Sequence, residues 1–124
     1  MINFLVNRIK SIKCAAHGIF IMLRSERNAW VHLLATTVVG AAGLMFKLNN
    51  FEWCWIVLAV VSVWTAEALN TALEFLADVA SPDFHPMVEK GKDVAAGAVL
   101  ITSIGSVVIA ALVFCPHIIR AVGN

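Results

Sequence analysis

Apolar residues along this chain gather into long blocks separated by short polar punctuation. Residues 28–46 contain no Asp, Glu, Lys or Arg, and neither do residues 94–119. Each block is near or above the ~20 apolar residues that an α-helix needs to cross a hydrocarbon core. Residues 53–66 are uncharged too, but too few to cross unless the helix continues through Glu67, Asn70, Glu74 and Asp78 to a stop at Ser81-Pro82. The pattern predicts membrane spans over about 28–46, 53–80 and 94–119. A turn-rich link, Lys47-Leu-Asn-Asn-Phe-Glu52, joins the first two, and a loop over 81–92 with Pro82 and Pro86 joins the last two.

The N-terminal segment, about 3–24, has a different pattern. Leu5, Ile9, Ile12, Ala16, Ile19 and Leu23 fall within about 80° of one another at 100° per residue, while Lys10, Lys13, His17 and Arg24 fall on another face. An amphipathic helix of this kind lies in the membrane interface with its cations toward headgroups. Those cations serve either as a plain anchor or as contacts for a nucleotide phosphate. Basic and apolar residues are interleaved, with no apolar run ending in small residues, so a cleaved signal peptide is not expected. Arg8, Lys10, Lys13, Arg24 and Arg27 concentrate positive charge at this end. By the positive-inside rule the N-terminus and the 81–92 loop are cytoplasmic, with the 47–52 turn and the C-terminus outside.

Composition sharpens this picture. Of 124 residues, 60% are hydrophobic and 14% charged, with mean hydropathy +0.86, against about 45–50% apolar and 25% charged in ordinary soluble domains. Residues 1–124 are therefore expected to form a single domain, an all-α membrane protein with a surface helix and three transmembrane helices. Net charge is +1, so nothing points to nucleic acid. Cys14, Cys54 and Cys115 have neither disulfide nor zinc spacing and read as small apolar residues. Small residues share a face on two spans, Thr36, Gly40 and Gly43 on the first and Ala95, Ala98, Thr102 and Gly105 on the third. Such stripes let helices approach closely in lipid, within one chain or in a homo-oligomer.

The candidate chemistry lies on the middle span. Glu67, Asn70, Glu74 and Asp78 are spaced so that all four share a stripe about 80° wide. An ionised acid at the centre of a membrane helix costs about 2.5–3.5 kcal/mol on insertion scales, so four aligned polar groups need a use. Aligned carboxylates offer general-base chemistry or coordination of a hard cation such as Mg²⁺. Glu67 and Glu74 are about 10 Å apart along the axis, so a division of labour is expected, the deeper acid on substrate and the shallower ones on metal and phosphate. Glu26 enters the first span at a depth comparable to Glu74. It either completes a metal site from a neighbouring helix or is a solvated acid beside Arg27.

Lys92 and Asp93 enter the third span on the same side, where a lysine can neutralise phosphate. His85 lies in the Pro-flanked loop, where it either touches a nucleotide or is solvated. His17, His32 and His117 have no metal-ligand spacing among themselves. Gly91-Lys92 is not a P-loop, because Pro86 stands where the first glycine belongs and Asp93 where Ser or Thr would follow. A non-enzymatic oligomer, a proton or ion channel lined by the acidic stripe, is the alternative. A channel should carry acids along a continuous pore, whereas these gather toward one side with Lys92.

At these residues the chain resembles the small integral-membrane lipid kinases of bacteria, the prokaryotic diacylglycerol kinase and undecaprenol kinase family. Glu67-Ala-Leu-Asn-Thr-Ala-Leu-Glu74 with Asp78 is similar to the family's E-x-x-N-[ST]-A-x-E-x-x-x-D. Lys92-Asp93-Val-Ala-Ala-Gly-Ala-Val-Leu100 is similar to its K-D-x-x-[AS]-[AG]-A-V-L, and Glu26-Arg-Asn28 to the start of its first span. The resemblance implies a homotrimer in the bacterial cytoplasmic (inner) membrane that transfers the γ-phosphate of ATP to a lipid hydroxyl with Mg²⁺. It implies Glu67 as the base, Asn70 and Asn28 beside the lipid substrate, and Glu26 and Glu74 on magnesium and nucleotide. Asp78, Asp83, Phe84, His85, Lys92 and Asp93 would serve the nucleotide. Trp30 stands where many members are basic and Cys14 where an aromatic is common. Glu-Arg-Asn with His32, and Asn-Thr-Ala, lean toward undecaprenol-kinase-type members, with diacylglycerol the other acceptor.

Overall fold

A computed structural model describes residues 2–123. They form four helices, α1 (Ile2–Ser25), α2 (Arg27–Met45), α3 (Asn50–Ala80) and α4 (Pro86–Val122). The last three are long and apolar enough to cross a membrane. α3 and α4 form the principal pair, α2 lies against α3, and α1 touches α2 and α3 near its C-terminal end.

Each boundary has a local cause. α1 and α2 are separated by Glu26 alone, whose extended backbone (φ −105°, ψ 120°) interrupts the helix for one residue. α2 ends in a Schellman-type turn in which Leu48 N–H donates to Gly43 O and Lys47 N–H to Leu44 O. Lys47 takes the left-handed conformation (φ 53°) that this turn requires, and Leu48 is thereby tucked into the interior. α3 begins with a capping box: Glu52 N–H donates to Asn49 Oδ1 at 3.0 Å and Asn49 N–H donates to Glu52 Oε2 at 2.8 Å.

α4 starts at Pro86, earlier than the sequence pattern suggests, so the connection from α3 shrinks to residues 81–85. Pro86 occupies the first helical turn, where its missing N–H has no consequence, and His85 caps it by accepting from Met87 N–H at 3.2 Å. Lys92 and Asp93 consequently sit about two turns into α4, ahead of the uncharged stretch. At the other end α4 continues past Pro116 to Val122.

Small and polar residues share the interior with a few large apolar ones. Ala29, Ala59, Ala95 and the polar Glu67, Asn70 and Thr71 are buried beside Ile56 and Val63, while Leu100, Ile101, Val107 and Leu112 of α4 point outward. This distribution suits a lipid solvent, where burial of large apolar side chains gives no advantage and close backbone approach does. A compact apolar cluster of Leu48, Ile56 and Val113, flanked by Phe46, Trp53 and Phe114, closes one end of the bundle. On α1, Ile9, Ile12 and Ile19 of the apolar stripe are exposed, and among the described side chains of this helix the buried one is Met22, outside that stripe.

Helix length sets the depth of the polar stripe. At 1.5 Å per residue, Glu67 lies about 26 Å along α3 from Asn50, and Glu74 and Asp78 about 36 and 42 Å. For a hydrocarbon core about 30 Å thick that begins at Asn50, Glu67 would fall just inside the far edge. Glu74 and Asp78 fall in the headgroup zone.

Candidate functional site

The stripe on α3 divides by depth and by partner. Among the described residues Glu67 is the largest fully buried side chain, 1% exposed, and both its carboxylate oxygens lack a hydrogen-bond partner. One turn on, the Asn70 amide donates from Nδ2 to Glu74 Oε1 at 2.9 Å, while its Oδ1 is buried without a partner. Thr71 is spent locally, its hydroxyl donating to Glu67 O at 3.0 Å. Asp78 is exposed and holds Lys92 Nζ at 2.8 Å, so residues 14 apart in sequence close an ion pair across the α3–α4 hairpin. Sequence spacing alone placed these two at one end of the molecule; the structure brings them into contact.

α2 supplies the facing wall. Asn28, Val31 and His32 from α2, Glu67 and Asn70 from α3, and Ser103 with its neighbours on α4 line a half-open cavity of about 250 Å³. His32 Nε2 is 3.7 Å from Glu67 Oε2 and is likewise buried and unpartnered. The ring meets Trp64 edge-on with centroids 6.4 Å apart. The same Trp64 donates from Nε1 to Thr36 Oγ1 at 3.0 Å, and the Thr36 hydroxyl donates in turn to His32 O at 2.7 Å. His32 is the site residue that sequence reasoning missed. Its partner is on another helix, and spacing within one helix carries no signal of that pairing.

An apolar groove of about 270 Å³ continues from this cavity along the three long helices. It shares Val31, His32 and Ser103 with the cavity and runs past Thr36, Val63 and Trp64 toward Val39 and Ile56. The polar cavity therefore opens into an elongated apolar channel on the side away from Glu74.

Glu26 sits half-buried at the start of α2 and, unlike Asn49 and His85, makes no capping bond with its side chain. Its carboxylate is left free for another partner. Burial, then the charges of Glu74 and Glu67, hold its carboxyl above the ordinary value of 4.5. Like charges gathered in this way, with oxygen donors only, suit a hard divalent cation. No group of three metal-ligating side chains occurs among the described residues, so any cation here needs ligands from elsewhere, such as phosphate oxygens.

The remaining candidates lie around the rim. Asp83, Phe84, His85 and Asp93 are exposed, and no hydrogen bond or ion pair joins them to the acids of α3 among the described residues. His85 is occupied in capping α4. The structure thus gathers Glu67, Asn70, Glu74, Asn28 and Glu26 toward one end, links Asp78 to Lys92 beside them, and leaves the 83–85 loop open.

Comparison with known proteins converges on one family. The prokaryotic diacylglycerol kinase family matches residues 13–114. An undecaprenol kinase of Bacillus subtilis is 35% identical over 116 residues, covering 94% of each chain. A diacylglycerol kinase of Synechocystis is 28% identical over 114 residues, 91% of this chain and 65% of that relative. No solved structure matches. With this match extending over all three long helices and the buried acid of α3, the chain belongs to the prokaryotic diacylglycerol kinase family and is a lipid kinase.

Proposed function

We propose that the protein transfers the γ-phosphate of ATP to the hydroxyl of a membrane lipid, with undecaprenol as the favoured acceptor and diacylglycerol as the alternative. The observation that carries this reading is Glu67: a buried carboxylate with no partner among the described residues, lining a polar cavity that adjoins an apolar groove through Val31, His32 and Ser103. An unsatisfied buried polar group costs about 1–3 kcal/mol, more when charged. A lipid alcohol with its tail in the groove presents its hydroxyl at that carboxylate. The more extensive likeness to the undecaprenol kinase supports the choice of acceptor.

The residues divide the work as follows. Glu67 accepts the hydroxyl proton as the acceptor oxygen bonds to the γ-phosphorus, and the bond to the bridging oxygen breaks with ADP taking its electron pair. Asn28 and Asn70 line the acceptor cavity, and the Asn70 amide donates to Glu74. Lys92, steadied by Asp78, is a cation for the phosphates, with Asp83, Phe84, His85 and Asp93 around the nucleotide. Glu26 and Glu74 would hold Mg²⁺, which when bound neutralises phosphate charge. Phosphoryl transfer needs mainly positioning and electrostatic stabilisation, so this set suffices without a dedicated nucleotide fold.

Assembly as a homotrimer and a cytoplasmic placement of the site complete the proposal. Gly40 and Gly105 meet nothing within 4 Å, whereas Gly43 is packed under Trp53. Two of the small-residue positions are thus open for close approach by another chain. The five cations of α1 and the start of α2 orient the site end toward the cytoplasm of a bacterial inner membrane.

The test is purified protein in mixed micelles with Mg·ATP and either undecaprenol or diacylglycerol. Phosphorylated undecaprenol, formed faster than phosphatidic acid, is the expected result. No lipid product from either, in protein shown to be folded, overturns the proposal.

A further inference from the structure

We propose that His32 binds the acceptor hydroxyl together with Glu67, the imidazole Nε2–H donating to the same oxygen whose proton the carboxylate receives. The inference rests on the reading of Glu67 as the base. Nε2 and Glu67 Oε2 are 3.7 Å apart, too far for a direct hydrogen bond and within reach of one bridging atom. An oxygen placed about 2.8 Å from each atom would bridge them with an angle near 80° at that oxygen, a small movement of the two side chains admitting it to atoms now closed to solvent. Both atoms are buried and lack any other partner among the described residues.

The chemistry of the gap selects its occupant. One side is a carboxylate that only accepts, and the other is an imidazole nitrogen that donates when its proton is on Nε2. A hydroxyl offers one donor and two lone pairs, so it satisfies both, giving its O–H to Oε2 and a lone pair to Nε2–H. The remaining lone pair is then the one free to attack phosphorus. As the oxygen–phosphorus bond forms, the proton passes to Glu67 and the electron pair of the breaking bond leaves with ADP. His32 keeps its proton throughout.

The surroundings of His32 fit a substrate-reading residue better than a helix staple. It lines both the polar cavity and the apolar groove, the place where the head of a lipid alcohol meets its tail. The helices are already joined at this level by the Trp64–Thr36 hydrogen bond, which also fixes the backbone carbonyl of His32. The edge-on contact with Trp64 then sets the ring plane.

The experiment compares wild type with His32→Leu and His32→Gln in mixed micelles, varying undecaprenol and Mg·ATP separately. Gln places an amide N–H where Nε2 stands; Leu fills the space without a donor. His32→Leu should lower kcat/KM for the lipid alcohol at least about tenfold, with KM for Mg·ATP within about twofold of wild type. His32→Gln should recover most of that loss. If His32→Leu fails to assemble, His32→Asn takes its place and must show the same loss, its shorter amide falling short of the hydroxyl. Equal losses in the Gln and Leu variants overturn the assignment, as does full activity in His32→Leu or a loss confined to KM for Mg·ATP. A wild type inactive on every lipid alcohol overturns the kinase reading and this assignment with it.

Discussion

The protein contains two histidine–glutamate pairs, one toward each end of the bundle, and they are built differently. His117 Nε2 and Glu52 Oε1 are 2.9 Å apart, and Glu52 uses its other oxygen to accept from Asn49 N–H. This pair clasps the start of α3 to the end of α4, with Phe46 and Phe114 beside it. At the other end His32 and Glu67 stand 3.7 Å apart, deeper, and without other partners. Polar groups that serve structure are satisfied by the fold itself. Those left unsatisfied lie at the end that also carries Glu26, Glu74 and Lys92, where the proposed lipid alcohol would meet them.

The widest separation between the two ends should come from Glu67→Gln, which keeps side-chain volume and removes the base. Loss of a positioned general base lowers turnover about 10²–10⁴-fold. The expected result is lipid phosphorylation reduced at least about 100-fold, with thermal unfolding in micelles unchanged. Retained activity would remove Glu67 from the chemistry and the contrast between the ends with it.

Glu26 gives a smaller effect that depends on pH. Burial and the neighbouring acids raise its carboxyl above the ordinary 4.5, so the fold favours its protonated form. Without a divalent cation this contribution to stability is fully present below the unfolded value and lost as pH rises through the folded one. Cation binding requires the carboxylate and releases the proton. Half-saturation by Mg²⁺, read from lipid phosphorylation, should therefore rise as pH falls toward the raised value. Glu26→Gln should weaken Mg²⁺ dependence and flatten that pH trend. An unchanged metal titration in this variant would remove Glu26 from the cation site.

At the clasp end, Asn49→Ala removes the capping box of α3 and should destabilise the protein by about 0.5–2 kcal/mol. Turnover per folded molecule should stay at the wild-type value. A fall in kcat without loss of stability would mean that the two ends are coupled.

Much of this arrangement was legible in the sequence, and the gaps have physical causes. The three long helices announce themselves because a membrane span needs uninterrupted apolar residues, and the α3 stripe because a fixed helical period turns spacing into a face. Pro86 and the charges around it read as loop, since proline breaks a helix interior. At the first turn it starts one instead, and α4 gains two turns. His32 was passed over as a site residue because it was tested only for metal-ligand spacing against His17 and His117, while its partner is Glu67 on α3. The contact of Asp78 with Lys92 depends on how the α3–α4 hairpin closes, which single-helix periodicity does not encode.

The smallest expected effect tests the same lesson at one residue of the α2–α3 turn. The turn-rich stretch Lys47-Leu-Asn-Asn offers two asparagines, the residue type that tolerates left-handed backbone after glycine. Yet the structure puts Lys47 at φ 53°. The reason is Leu48: the Schellman turn must place its next residue inward, and only this register buries a leucine against Ile56 and Val113 rather than an asparagine. Burial thus overrides local preference, leaving left-handed strain of about 1–2 kcal/mol on a residue with a Cβ. Lys47→Gly relieves that strain but adds freedom to the unfolded chain, so a net gain of about 0.5–1 kcal/mol is expected, with activity unchanged. A loss of stability would show that the Lys47 side chain itself, not Leu48, holds the turn.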